Sequence, residues 1–273
     1  MTKESLLLDS ITDTDGSMKG RVVISGSHGG IYPASLASAA NLRAILFNDA
    51  GIGFEKAGVA GVLALANVGM AAAAMDCESC LIGSAQDALN RGIISVVNSV
   101  AKACGVEPGM AVEKAAMALA RAPQAEEHLP HVEETRHERI LEKSGLSLVL
   151  VDSASLVTAE DKNRIVITGS HGCLIGGNPD RALKAAARVA VFNDAGIITS
   201  EAGISRLPAL DDRGVSAVTV SHETARIGDA ISAFETGVIS NVNVHAREDG
   251  AEIGMPLKIW LQQLRPASIV DHS

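Results

Sequence analysis

Short apolar runs of β-branched and small residues alternate along this chain with longer Ala-rich stretches of mixed polarity. "RVVIS", "RAILF", "AAAAM" and "IISVV" read as strands, and "PASLASAANL", "AGVAGVLALANVG" and "SAQDALNRG" between them read as helices. The strand runs are continuously apolar rather than alternating, the pattern of a parallel sheet covered on both faces. Right-handed crossovers bring the carboxyl ends of such strands to one edge of the sheet, where functional residues are expected.

The pattern is written twice. "RVVISGSHGG" (21–30) recurs as "RIVITGSHGC" (164–173), "AILFNDAGIG" (44–53) as "VAVFNDAGII" (189–198), and "GIISVVN" (92–98) as "GVISNVN" (237–243). Asp9-Ser10 returns as Asp152-Ser153. The offset is 143 residues through Ser-His-Gly and 145 from Asn-Asp-Ala-Gly onward, so the second copy carries two extra residues between them. An internally duplicated, three-layer α/β/α protein with a mainly parallel sheet and pseudo-twofold halves is therefore expected. Its first repeat covers 1–110 and its second 148–273. Residues 111–147 form a helical, charged, solvated connector. His128, His131 and His137 lie there among Glu and Arg and read as surface residues.

Composition narrows the functional classes. Hydrophobic residues make up 47% and charged residues 20%, a soluble globular balance, while aromatics are only 2%. The core must then be Ala, Val, Ile and Leu packed closely around glycines. A formal charge of -9 argues against a phosphate-backbone binder, so no nucleic-acid partner is expected. The amino terminus has the wrong pattern for a signal peptide, and no stretch approaches the roughly 20 apolar residues of a membrane span. The expectation is a cytoplasmic protein without membrane contact, and the Gly/Ala-rich helices suggest a homo-oligomer. Cys77-x-x-Cys80 lacks a second ligand pair, so the cysteines read as small buried hydrophobes.

Polar residues cluster just past the strands. Ser27, His28 and Gly29 follow the first main run, and Asn48 and Asp49 the second; Ser170, His171, Gly172, Asn193 and Asp194 are their counterparts. Such residues on glycine turns suit a small-molecule site. Asn and Asp also cap helices, whereas histidine in a glycine turn has no such excuse. The copies disagree at the third element, where "MDCESCLIGSA" (75–85) aligns with "VSHETARIGDA" (220–230). His222, Arg226 and Asp229 stand there opposite Cys77, Leu81 and Ser84. One principal site richer in second-copy residues follows from that divergence.

The expected roles run as follows. His171 or His222 is the general base or acid, supported by His28 from the first copy. Asp194 orients a histidine or ligates a metal. Arg226 holds a substrate carboxylate, with Asp229 behind it. Glycine-flanked amides after Ser170 offer an oxyanion hole, and Ser170 and Ser27 are nucleophile candidates outside any Gly-x-Ser-x-Gly elbow. A divalent metal is a candidate cofactor without a recognisable ligand motif, and no nucleotide cofactor is expected because the phosphate-cradling glycine motifs are missing.

Hydrophobic residues, then Ser-His-Gly, then a hydrophobic run ending in Asp-Ala resemble the pattern of caspase-like cysteine peptidases. There the catalytic His follows one strand and the catalytic Cys the next. The resemblance matches His28 and His171 to that histidine and puts the cysteine position on Gly51 and Gly196, so it implies a topology without the nucleophile. The function expected from the residues is acid/base catalysis on a small polar metabolite, with hydrolysis of an amide or cyclic amide carrying a carboxylate favoured. Its rivals are a non-catalytic small-ligand binding protein and a structural or assembly protein of caspase-like topology.

Overall fold

The computed structural model describes residues 5–197 and 201–265, apart from the side chains of residues 201 and 202. In the N-terminal half, strands β1 (Leu6–Leu8), β2 (Val22–His28), β3 (Ala44–Asn48) and β4 (Ala71–Met75) pair in parallel. β5 (Ile94–Val97) closes the sheet antiparallel, and the spatial order follows the chain. Interspersed with the strands are α1 (Ile31–Ala39), α2 (Ala60–Ala64) and α3 (Ala85–Arg91), and α4 (Ser99–Ala103) and α5 (Val112–Leu119) follow them.

The C-terminal half repeats that order with one strand added. β6 (Arg136–Ile140) lies antiparallel on β7 (Ser147–Val151). β8 (Ile165–His171), β9 (Val189–Asn193) and β10 (Ser216–Val220) continue in parallel, and β11 (Ile239–Val242) is again antiparallel. Helices α6 (Arg206–Asp211), α7 (Ala230–Thr236), α8 (Val244–Glu248) and α9 (Leu257–Gln263) complete the half. The architecture is α/β, with two mixed, mostly parallel sheets and helices around them.

Both faces of each sheet are covered, as the continuous apolar runs require. Alternate residues of β2 enter opposite cores: Val23 joins α1 and α2 through Ala34, Ala37 and Val62, whereas Val22 and Ile24 face α3, α4 and α5. In the C-terminal half Val166 and Phe192 face Leu207 and Leu210, and Ile165 and Ile167 share a core with Phe234 and Trp260. The connector is not solvated throughout. Val112, Ala115, Ala116 and Leu119 bury one stripe of α5 in the N-terminal core, at the helical spacing that makes a helix amphipathic. His128, His131 and His137 are exposed.

The halves differ where the C-terminal one carries its two extra residues. In place of α1 there are only short 3-10 turns at Ile175–Gly177 and Pro179–Arg181. Gly176 and Gly177 both adopt positive φ, and Pro179 has no N–H for a helical bond, so an α-helix cannot run through. Among the described residues no helix is long and apolar enough to cross a membrane.

Candidate functional site

The two sheets meet along their carboxyl edges. Gly51 and Gly196, the residues after Asn-Asp-Ala, touch backbone to backbone: a Cβ on Gly196 would stand 2.6 Å from the Gly51 Cα. Both have left-handed φ, +71° and +78°, so only glycine satisfies the turn and the approach together. The positions that the peptidase resemblance assigns to cysteine are thus packed seams between the halves. Ala50, Cys77, Ile82, Cys173, Ala195, Ile197 and Ile227 form the apolar cluster around them.

Beside this seam lies a cavity of about 610 Å³, bordered by residues of both halves, within the usual range for a small-ligand site. What turns side chains into it is a bulge. β2 pairs with β3 at Ile24–Leu46 and next at His28–Asn48, leaving Ser25–Ser27 displaced, and β8 does the same between Ile167 and His171. Bulges re-aim the residues that follow them. Gly26 permits this one, since its carbonyl accepts the Gly83 amide at 2.7 Å and a Cβ would fall 2.7 Å from the Ser84 nitrogen. Gly169 and Gly228 repeat the arrangement, with a 2.8 Å bond.

Ser27, His28, Ser170, His171, Arg226 and Asp229 all border the cavity. His28 and His171 come from different halves, and each ring crosses toward the other half. A Cβ on Gly228 would lie 3.3 Å from the His28 Cε1, and one on Gly83 3.2 Å from the His171 Cε1. The Nδ1 of His28 accepts the Gly30 amide at 3.2 Å. Among the described residues the Nδ1 of His171 is the one buried side-chain polar atom without a hydrogen-bond partner. Burial pushes His28 down to about 4, and burial, then the charges of Arg206 and His28, push His171 down to about 3. Both imidazoles are therefore neutral at physiological pH.

The remaining expected residues lie elsewhere, and each has a structural reason. Asn48 and Asn193 fold back on their own turns, accepting the Ala50 and Ala195 amides at 2.9 Å. Asp49 accepts the Gly51 and Cys77 amides and the Ser95 hydroxyl. Asp194 accepts the Gly196 and His222 amides and also the His222 ring at 2.8 Å. That pair, in which the carboxylate hydrogen bond raises the imidazole above its ordinary value, packs against Gly51 in the seam and does not border the cavity. Gly29 and Gly172 are also outside the cavity; their amides are spent on the Asn48 and Asn193 carbonyls, so no oxyanion hole is formed there. Ser27 and Ser170 accept the Ile11 and Ala154 amides at 3.0 and 2.9 Å, and among the described residues no histidine bonds to either hydroxyl.

Arg226 reaches the cavity with its charge already committed. Its guanidinium donates twice to Asp229, which also caps α7 through Ser232, and once across the seam to Glu55 at 2.6 Å. Arg206 differs. This residue, in a helical segment that sequence reasoning passed over, is 2% exposed and borders the cavity. Burial, the larger cause, and the neighbouring Arg181 charge pull its guanidinium down to about 10. The repeat held a signal for it, because the corresponding residue of the N-terminal half is Gly61.

The connector also contributes. Leu129 donates to the Ser38 hydroxyl and Thr135 to the Asp152 carboxylate, so the intervening Val132, Glu133 and Glu134 run along the cavity from one half to the other. Burial raises the Glu134 carboxyl above its ordinary value. Among the described residues one group could hold a metal: ligand atoms of Asp49, Asp76 and Cys77 lie within 4.8 Å of one another. Burial and the adjacent carboxylates push the Cys77 thiol upward, against the thiolate that a metal needs, and Asp49 is already engaged as described. Compared with known proteins, the chain matches no family model, no curated protein and no solved structure.

Proposed function

We propose that this protein is an enzyme that acts by acid/base chemistry on a small metabolite held between its halves, and that the reaction is hydrolysis of an amide or cyclic amide carrying a carboxylate. The observation that supports it is the pair of neutral imidazoles, His28 and His171, bordering one cavity from two halves. One imidazole takes a proton from water as the water oxygen bonds to the carbonyl carbon. The other, once protonated, gives its proton to the nitrogen as the C–N bond breaks. A bound carboxylate raises both rings back toward neutral pH, where proton transfer in either direction is efficient. Water is the nucleophile in this reading, since no base addresses Ser27 or Ser170.

The same reading takes the chain as a fused duplication, working in the cytoplasm, with self-association through its small-residue helices, where Leu63 of α2 is exposed. Light scattering checks the last point, and a monomer removes it. For the activity, a panel of linear and cyclic amides bearing a carboxylate is followed by NMR. Turnover of at least one is expected, with His171→Asn and His28→Asn each lowering it by about 10²–10⁴-fold. Unchanged turnover in both variants would overturn the assignment of the pair, and binding without product would make the protein a binding module.

A further inference from the structure

We propose that Arg206 is the anion anchor of the cavity, holding the carboxylate of the substrate through its Nη2 and binding one such group per chain. The proposal rests on the reading that the cavity is the substrate site, and it names the charge class that this site takes.

The guanidinium is held on two sides. Its Nε donates to the Cys173 carbonyl at 3.1 Å, its Nη1 to the carbonyls of Arg181 and Ala182, and its Cζ lies over the Phe192 ring, 5.0 Å from the centroid. These contacts fix its orientation without neutralising it. No described residue gives it a carboxylate, and none pairs with Nη2. A buried cation without a counter-ion is unfavourable, so such groups are ordinarily paired. The other cations of the cavity are paired or exposed: Arg226 is paired with Asp229 and Glu55, while Lys184 and Arg181 are exposed to solvent. A second observation points to the same place. His171 borders the same cavity, and its Nδ1 is, among the described residues, the buried side-chain polar atom left without a partner.

The anchor is one-sided. At the corresponding position of the N-terminal half a Cβ on Gly61 would stand 2.1 Å from the Gly30 carbonyl oxygen, so no side chain fits there. A planar guanidinium suits a carboxylate, and the charge sits next to one imidazole of the proposed pair. The substrate's anionic end is thereby oriented toward the C-terminal half.

The test is calorimetric titration of the full chain with malonate, with neutral malonamide, and with inorganic phosphate. One malonate per chain is expected, with malonamide at least tenfold weaker. Phosphate binding more tightly than malonate would overturn the carboxylate assignment. Arg206→Met should weaken malonate at least tenfold, and Arg206→Lys by less. A folded Arg206→Met protein that binds malonate like the parent overturns the proposal, as does a stoichiometry of two. If Arg206→Met does not fold, crystals of the parent chain soaked in malonate decide: a carboxylate within hydrogen-bond distance of Nη2 supports the anchor, and its absence from that position refutes it. The two readings fail separately. Arg206-dependent malonate binding with no turnover of any carboxylate-bearing amide removes the hydrolase and keeps the anchor. Amide turnover that is indifferent to Arg206→Met does the reverse.

Discussion

Acid should destabilise this fold through two histidines, and the size of the effect can be worked out. His28 and His171 are held near 4 and 3 by burial, against an ordinary value of 6.5 in the unfolded chain. As pH falls below 6.5 the unfolded state takes up protons that the folded state refuses, so stability declines with falling pH and stops declining below the folded values. Each unit of pH inside that window removes about 1.4 kcal/mol per histidine. Between pH 8 and pH 5 the loss is about 2 kcal/mol for each, or about 4 kcal/mol for the pair. That is an upper figure, because His28 is only half-buried and keeps an edge open to the cavity. His222 acts with the opposite sign: its bond to Asp194 raises it, so its contribution is present at low pH and lost as pH rises through its folded value. The His28→Gln/His171→Gln double variant isolates the pair, since His222 is common to both proteins. Urea unfolding by circular dichroism at half-unit steps from pH 8 to pH 5 should show the parent losing up to about 4 kcal/mol relative to the variant. A difference that stays flat within about 1 kcal/mol would refute the claim that these rings are buried neutral.

Two further outcomes follow from single contacts. Gly51→Ala or Gly196→Ala should cost about 2–5 kcal/mol in unfolding free energy, from a left-handed φ and from overpacking against the opposite turn; a change under about 1 kcal/mol would mean that the seam is not closed. Asn98→Ala should cost about 3 kcal/mol or more, because its side chain serves the Ala72 and Ala101 amides and the Val62 and Met70 carbonyls, all buried. Denaturant titration of that variant checks it, and a near-neutral result would show those groups satisfied by other partners.

Strand positions were legible because burial on both faces leaves an unbroken apolar run. "RAILF", "AAAAM" and "IISVV" fall on β3, β4 and β5 within a residue or two. "RVVIS" stops short of the end of β2, whose last residues pair only after a bulge that depends on Gly26 meeting a distant loop. "AGVAGVLALANVG" yields only Ala60–Ala64 as α-helix before tightening into a 3-10 turn, where helix propensity gives way to packing under the sheet. At the site, strand-end position was readable but side-chain direction was not. Ser-His after the bulge points into the cavity, whereas Asn-Asp, one strand over, turns back to satisfy amides of its own loop. His222 stood beside His171 as a candidate catalytic ring, yet its partner Asp194 and the Gly51 contact hold it in the seam.

What separates the two halves is where they put charge. The corresponding residues Ser27 and Ser170, Asn48 and Asn193, and Asp49 and Asp194 make matching contacts that hold the turns, and His28 and His171 bring one imidazole to the cavity from each half. Around the cavity and the seam the C-terminal half carries polar or charged residues that the N-terminal half lacks: Arg206 stands at the position of Gly61, Arg226 at that of Leu81, Asp229 at that of Ser84 and His222 at that of Cys77. Two equivalent imidazoles by themselves would treat either end of a substrate alike. A buried guanidinium on one side only breaks that equivalence, because an anionic group is drawn to Arg206 and the imidazole next to it, His171, feels the bound charge more than His28 does. Under the proposed binding, a carboxylate on Arg206 offsets the charge that holds His171 below His28, so His171 gains the larger upward shift and the two imidazoles cease to be equivalent.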